Sequence, residues 1–131
     1  MDREEALKLL RGGKEGVAEW NRLRGAGKCI PNLKAADLRN ADLSNADLSG
    51  AHLSTGCLVH AYLAGANLSD ADLSNAFLYN AFLADANLSN ANLSHAVLTY
   101  ANLSGANLTF ANLNGANLVS ANFSGTNLSS T

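Results

Sequence analysis

The chain has 131 residues, enough for one domain, with 9 basic and 11 acidic side chains and a formal net charge of −2. Such a balance excludes both a polybasic nucleic-acid binder and a strongly acidic protein, and no direct contact with nucleic acid is expected. The start, Met1-Asp2-Arg3-Glu4-Glu5, is charged and no apolar run of signal-peptide or membrane-span length comes after it, so a cytoplasmic protein without membrane contact is expected.

Residues 1–30 read as an N-terminal α-helical cap. Asp2 and Glu5 have the spacing of a capping box, and Ala6, Leu9 and Leu10 form one apolar face before Gly12-Gly13 stops the helix. A second short helix carries Val17, Trp20 and Leu23 and ends at Gly25-Ala26-Gly27. The texture changes after residue 30, and the helices are expected to lie as a lid on the repetitive segment there, with Trp20 packed inside rather than offered to a ligand.

From Leu33 to Leu128 a leucine recurs every five residues, with Phe123 as the one substitute, and nearly every residue two before it is alanine. A period of five suits neither an amphipathic helix nor a plain strand. It does contain one strand-like step, because residues two apart in extended backbone share a face: in Ala41-Asp42-Leu43 the alanine and leucine point inward and the aspartate outward. The last two positions of each unit are mostly Ser, Asn, Gly, Thr or Asp, which favour bends. One unit cannot bury its own leucine, so successive units must coil and stack.

Segments such as Ala41-Asp42-Leu43-Ser44-Asn45 and Ala106-Asn107-Leu108-Thr109-Phe110 resemble the repeat of the pentapeptide repeat proteins, A-(D/N)-L-x-x, and the resemblance holds in one register over 31–130. It implies an all-β solenoid over 31–131, a right-handed four-sided β-helix with four units per coil. The coils are then 31–50, 51–70, 71–90, 91–110 and 111–130, about five layers and roughly 24 Å of shaft at the usual strand spacing. The segment Gly16-Val17-Ala18-Glu19-Trp20-Asn21 is also similar to the one that precedes the repeats in some bacterial, notably cyanobacterial, members. Relatives with an open last coil often pair there, so the resemblance implies a homodimer through coil 111–130.

Stacking puts residues twenty apart into columns on four sides. The fourth side, centred on Leu48, Leu68, Leu88, Leu108 and Leu128, is uniformly polar, and its asparagines are expected to form an amide ladder. The second side, centred on Leu38, Leu58, Leu78, Leu98 and Leu118, carries Cys57, Phe77 and Val97 before the leucines and Val59 and Tyr79 after them, with His60 and Tyr100 at the corner. On the third side, Tyr62 and Phe82 precede Leu63 and Leu83. The cluster Phe77, Phe82, Tyr62, Tyr79, Val59, Val97 and Tyr100 is therefore the candidate protein-binding site, for a partner the residues do not identify. Clustered exposed apolar groups mark interfaces more often than isolated ones do. The competing reading is aromatic stacking that stabilises the sheet itself.

No catalytic, metal or cofactor site is expected. His52, His60 and His95 fall on different columns, and Cys57 with His60 lies on a convex shaft that offers no cleft. Cys29 and Cys57 show no CxxC spacing and are expected as free thiols. The non-enzymatic reading is a scaffold for protein–protein interaction. The alternative that the resemblance implies is a DNA mimic acting on DNA gyrase, which requires acidic charge along the shaft. Only Asp37, Asp42, Asp47, Asp70, Asp72 and Asp85 supply it, and none lies beyond Asp85.

Overall fold

The computed structural model describes residues 1–131. Two helices, α1 (Arg3–Leu10) and α2 (Gly13–Gly25), precede a right-handed four-sided β-helix of five coils. Helix α1 starts at the Asp2 capping box: the Asp2 carboxylate accepts the Glu5 N–H at 2.8 Å, and the Glu5 carboxylate accepts the Asp2 N–H at 3.3 Å. Helix α2 ends with Ala26 as its C-cap.

Every inter-coil bridge joins residues twenty apart in parallel, for example Asp37 to Cys57 and Cys57 to Phe77. Most of the 88 backbone hydrogen bonds lie in the shaft, within its turns and between its coils, so the shaft is held by a ladder even though no side is longer than a single bridging residue. The repeating motif is plain in the second coil. Leu58 N–H donates to Phe77 O at 2.7 Å, Cys57 N–H donates back to Ala36 O at 2.9 Å, and His60 N–H donates up to Tyr79 O at 3.0 Å. Between sides, a four-residue turn is closed by the next unit's first residue, as when Ala61 N–H donates to Leu58 O at 3.0 Å.

These corners explain the fifth position of the repeat. It takes positive φ throughout, from Ala35 (59°) to Ser130 (57°), and Asn, Asp and Gly tolerate that region best. Thr55, Tyr100 and Phe110 occupy it without that tolerance.

The alanines and leucines face inward as the two-residue step requires. They make one core with Ala6, Leu10, Val17 and Trp20 of the helices, and no buried residue is polar or charged. Leucines from Leu33 to Leu108 are fully buried. In the last coil Leu113, Leu118 and Phe123 are only half-buried and Leu128 is 43% exposed.

The two ends of the shaft differ. The first coil has backbone groups that an earlier coil would satisfy, and the cap's side chains take its place. Arg3 donates to Asn32 O and Lys34 O, Arg11 to Asp37 O, and Arg24 to Ser49 O, all within 2.9 Å. The Trp20 indole donates to Asp47 O at 2.7 Å, while Asn21 donates to Asn45 O and accepts from Asp47 N–H. At the opposite edge the N–H groups of Leu113, Leu118, Phe123 and Leu128 donate to no group of the chain.

The fourth side corrects one expectation. Its asparagines make a single ladder contact, Asn87 Nδ2 to Asn67 Oδ1 at 3.4 Å. Their carbonyl oxygens turn instead to the N–H two residues on, as Asn67 Oδ1 accepts Ser69 N–H at 3.1 Å and Ser69 Oγ at 2.8 Å. The same closure recurs at Asp72, Asn87, Asn92, Asn102 and Asn107. A local turn bond satisfies an amide that would otherwise point into solvent at the corner, and it wins over a bond between layers.

Candidate functional site

The expected apolar residues emerge on the second and third sides as two groups rather than one sheet of rings. On the third side Tyr62 and Phe82 bridge directly and stack face to face, ring centroids 5.2 Å apart and planes within 2°. Their spacing comes from the ladder: the coil rise is close to the optimal separation of offset rings. The second group turns the corner between the two sides. Tyr79 meets His60 edge to face at 6.1 Å and Tyr100 edge to face at 5.7 Å. Phe77 stands in its column between Cys57 and Val97 without a ring partner.

Tyr62, Phe77, Phe82 and Tyr100 are each between 44% and 55% exposed, and Tyr79 is 39% exposed. Val59 and Val97 are half-buried and serve as flanks to the rings rather than as an exposed surface. Two exposed residues fall outside the expected cluster. Val119, 63% exposed, lies one layer above Thr99, and its carbonyl accepts Tyr100 N–H at 3.1 Å, so it carries the apolar strip on to the last coil. Its position in the Val59–Tyr79–Thr99 column is the signal that could have found it. Phe110, also 63% exposed, stands alone at the corner between the fourth and first sides.

Charge is unevenly spread around this surface. Asp37 and Arg39 form an ion pair at 2.7 Å, and the Arg39 guanidinium together with its backbone N–H holds the Asp37 carboxyl down to about 2. Asp47 lies 3.7 Å from Arg24 of the cap. Asp42, one layer below Tyr62, and Asp85, at the corner after Phe82, have no ion-pair partner. From residue 40 onward the chain contains no lysine or arginine.

The arrangement offers a convex surface and no converging chemistry. His52, His60 and His95 stand on separate columns, and no three His, Cys, Asp or Glu side chains come together. Cys29 and Cys57 are free thiols. The one concavity, about 420 Å³, lies against Met1, Glu5, Lys8, Leu9, Glu19, Leu23 and Lys28, and none of the rings lines it. No helix is long and apolar enough to cross a membrane.

Comparison with known proteins adds the family. The model of pentapeptide repeats matches in 8 copies, over 32–70, 58–90, 66–99 and 91–129. Among solved structures the chain is similar to a pentapeptide repeat protein, Rfr23, from the cyanobacterium Cyanothece 51142, with 44% identity, a TM-score of 0.66, and coverage of 79% of this chain and 66% of that one. It is also similar to a pentapeptide repeat protein of the Arabidopsis thaliana thylakoid lumen, with 38% identity, a TM-score of 0.66, and coverage of 68% and 62%. The chain thus spans just under two thirds of the length of these relatives. A third, QnrB1, a plasmid-mediated fluoroquinolone resistance protein, is 28% identical over 75% of this chain and 46% of that one, with a TM-score of only 0.36. No protein of curated function matches. The five-residue register, the twenty-residue coil and the matched repeats agree, and the chain belongs to the pentapeptide repeat family.

Proposed function

We propose that this chain is a non-enzymatic scaffold whose second and third sides form a contact surface for a partner protein. The observation that carries the reading is the run of half-exposed rings, Phe77, Tyr79, Tyr100, Tyr62 and Phe82, on a shaft whose other sides are lined mainly with Asn, Ser, Asp and Gly. Sheet stabilisation is an incomplete account of it. An edge-to-face ring pair contributes about 0.5–1.5 kcal/mol. Holding a bulky residue such as Tyr100 at positive φ costs about 1–2 kcal/mol. The two nearly cancel at this corner, so folding alone gives little reason for rings there.

The test is affinity capture from a cyanobacterial lysate with the parent beside a Phe77→Ser/Phe82→Ser variant of matched stability. A partner retained by the parent and lost by the variant supports the reading. Identical eluates overturn it and leave the rings as sheet stacking. Self-association through the half-buried coil 111–130 belongs to the same proposal, and a monomeric mass by light scattering at high micromolar concentration would exclude it. The gyrase-mimic alternative gains no support from the charges, because Asp37 and Asp47 are already engaged by Arg39 and Arg24. Inhibition of supercoiling at low micromolar protein would reinstate it.

A further inference from the structure

We infer that the stacked Tyr62–Phe82 pair, with Asp42 one layer below it, is a docking point for an arginine side chain of the partner. The inference rests on the reading of these rings as a contact surface and adds the chemistry of what meets them. Each ring covers one face of the other, yet Tyr62 and Phe82 are still 48% and 44% exposed, which leaves their outer faces and edges open. The residues just after their leucines are Ala64 and Ala84, too short to fence the rings in. Above and below the pair, Asn102 and Asp42 are drawn back toward their own turns: Asn102 Oδ1 accepts Ser104 N–H at 3.0 Å and Asp42 Oδ1 accepts Ser44 N–H at 3.1 Å. A flat group laid on the outer face of Tyr62 therefore lies over the remaining Asp42 oxygen.

Charge selects the flat group. The shaft from residue 40 onward has aspartates and no cation, and Arg39 is tied to Asp37 at 2.7 Å. Asp42, directly below Tyr62, forms no ion pair, and the Asp85 carboxylate, directed to the Gly105 corner one coil above, adds unpaired negative charge to this part of the shaft. A planar guanidinium satisfies both features, by stacking on an aromatic face and by pairing with a carboxylate, whereas a lysine ammonium is a strongly hydrated point charge that matches the ring less well.

The probe is a short blocked peptide with two arginines around one leucine, compared with its citrulline counterpart (equal shape, no charge) and its lysine counterpart. Binding is followed by amide chemical shifts of the full chain at low salt. The expected result is shifts centred on Asp42, Tyr62 and Phe82 with the arginine peptide. Asp42→Asn, which keeps the turn-closing oxygen, is expected to weaken binding about three-fold, and Phe82→Ser by a similar factor. Equal binding of arginine and citrulline peptides at the rings would overturn the cation assignment while leaving the apolar contact surface standing. Shifts centred on Asp70 and Asp72 would overturn the assignment of the site. Absence of binding by all three peptides would overturn the proposed docking point.

Discussion

Replacing Leu78 by alanine tests the inward register and the stiffness of the core at once. Leu78 is fully buried in the middle coil, between Leu58 and Leu98 in its column. The coils around it cannot move together to refill the space, because the ladder sets their separation: Leu58 N–H to Phe77 O and Leu78 N–H to Val97 O are both 2.7 Å. A site unable to collapse falls in the upper part of the 2–5 kcal/mol range for Leu→Ala, so a loss of about 3–4 kcal/mol is expected. For a chain of this size that lowers the thermal midpoint by about 10–20 °C. The control is Leu128→Ala in the last coil, where the leucine is already 43% exposed and the loss should stay below about 1 kcal/mol. Both are read by circular dichroism during thermal and urea unfolding. Equal shifts for the two variants, or none for Leu78→Ala, would refute the register and the rigid-ladder reasoning.

Trp20→Phe keeps an aromatic ring in the cap but removes the indole N–H that meets Asp47 O at 2.7 Å, and should cost about 1–2 kcal/mol in urea unfolding. Thr55→Asn should stabilise by about 1 kcal/mol, since a β-branched residue at a φ of 57° gives way to one that tolerates that region; an unchanged thermal midpoint would count against corner strain. The Asp37 carboxyl, held down to about 2 by Arg39, favours the folded state above the ordinary carboxylate range near 3.8, and that contribution is lost as pH falls through about 2. Carboxyl titration by NMR should therefore show Asp37 ionising low in the parent and closer to the ordinary value in Arg39→Gln, which loses the guanidinium but keeps the backbone N–H.

Much of the architecture was legible in the residues because the fold repeats a local rule. Ala41-Asp42-Leu43 already states which side chains point inward, repetition of that step requires the units to coil and stack, and the family resemblance supplied four units per coil. The aromatic residues were legible as a group for the same reason, since columns emerge from counting in twenties. What counting cannot deliver is how neighbours share their bonding. The asparagines of the fourth side looked like a ladder and closed their own turns instead, as Asn67 does with Ser69, because a bond within the unit needs no agreement with another coil.

Sequence alone thus determined the period and the inward face, because both depend on sterics and burial within five residues, while the twenty-residue coil and its columns followed from the family resemblance. Tertiary structure decided what depends on atoms brought together from distant parts of the chain. Only there do Arg3, Arg11, Trp20 and Arg24 take the place of a missing coil by donating to the carbonyls of the first one. Only there do Asp37 and Asp47 lose their free charge to arginines while Asp42 and Asp85 keep theirs. The relative orientation of the rings was settled there as well, parallel for Tyr62 with Phe82 and edge to face for Tyr79 with Tyr100. A hydrogen bond or a ring contact is decided over a few ångströms and tens of degrees, and a repeat pattern carries no information at that scale.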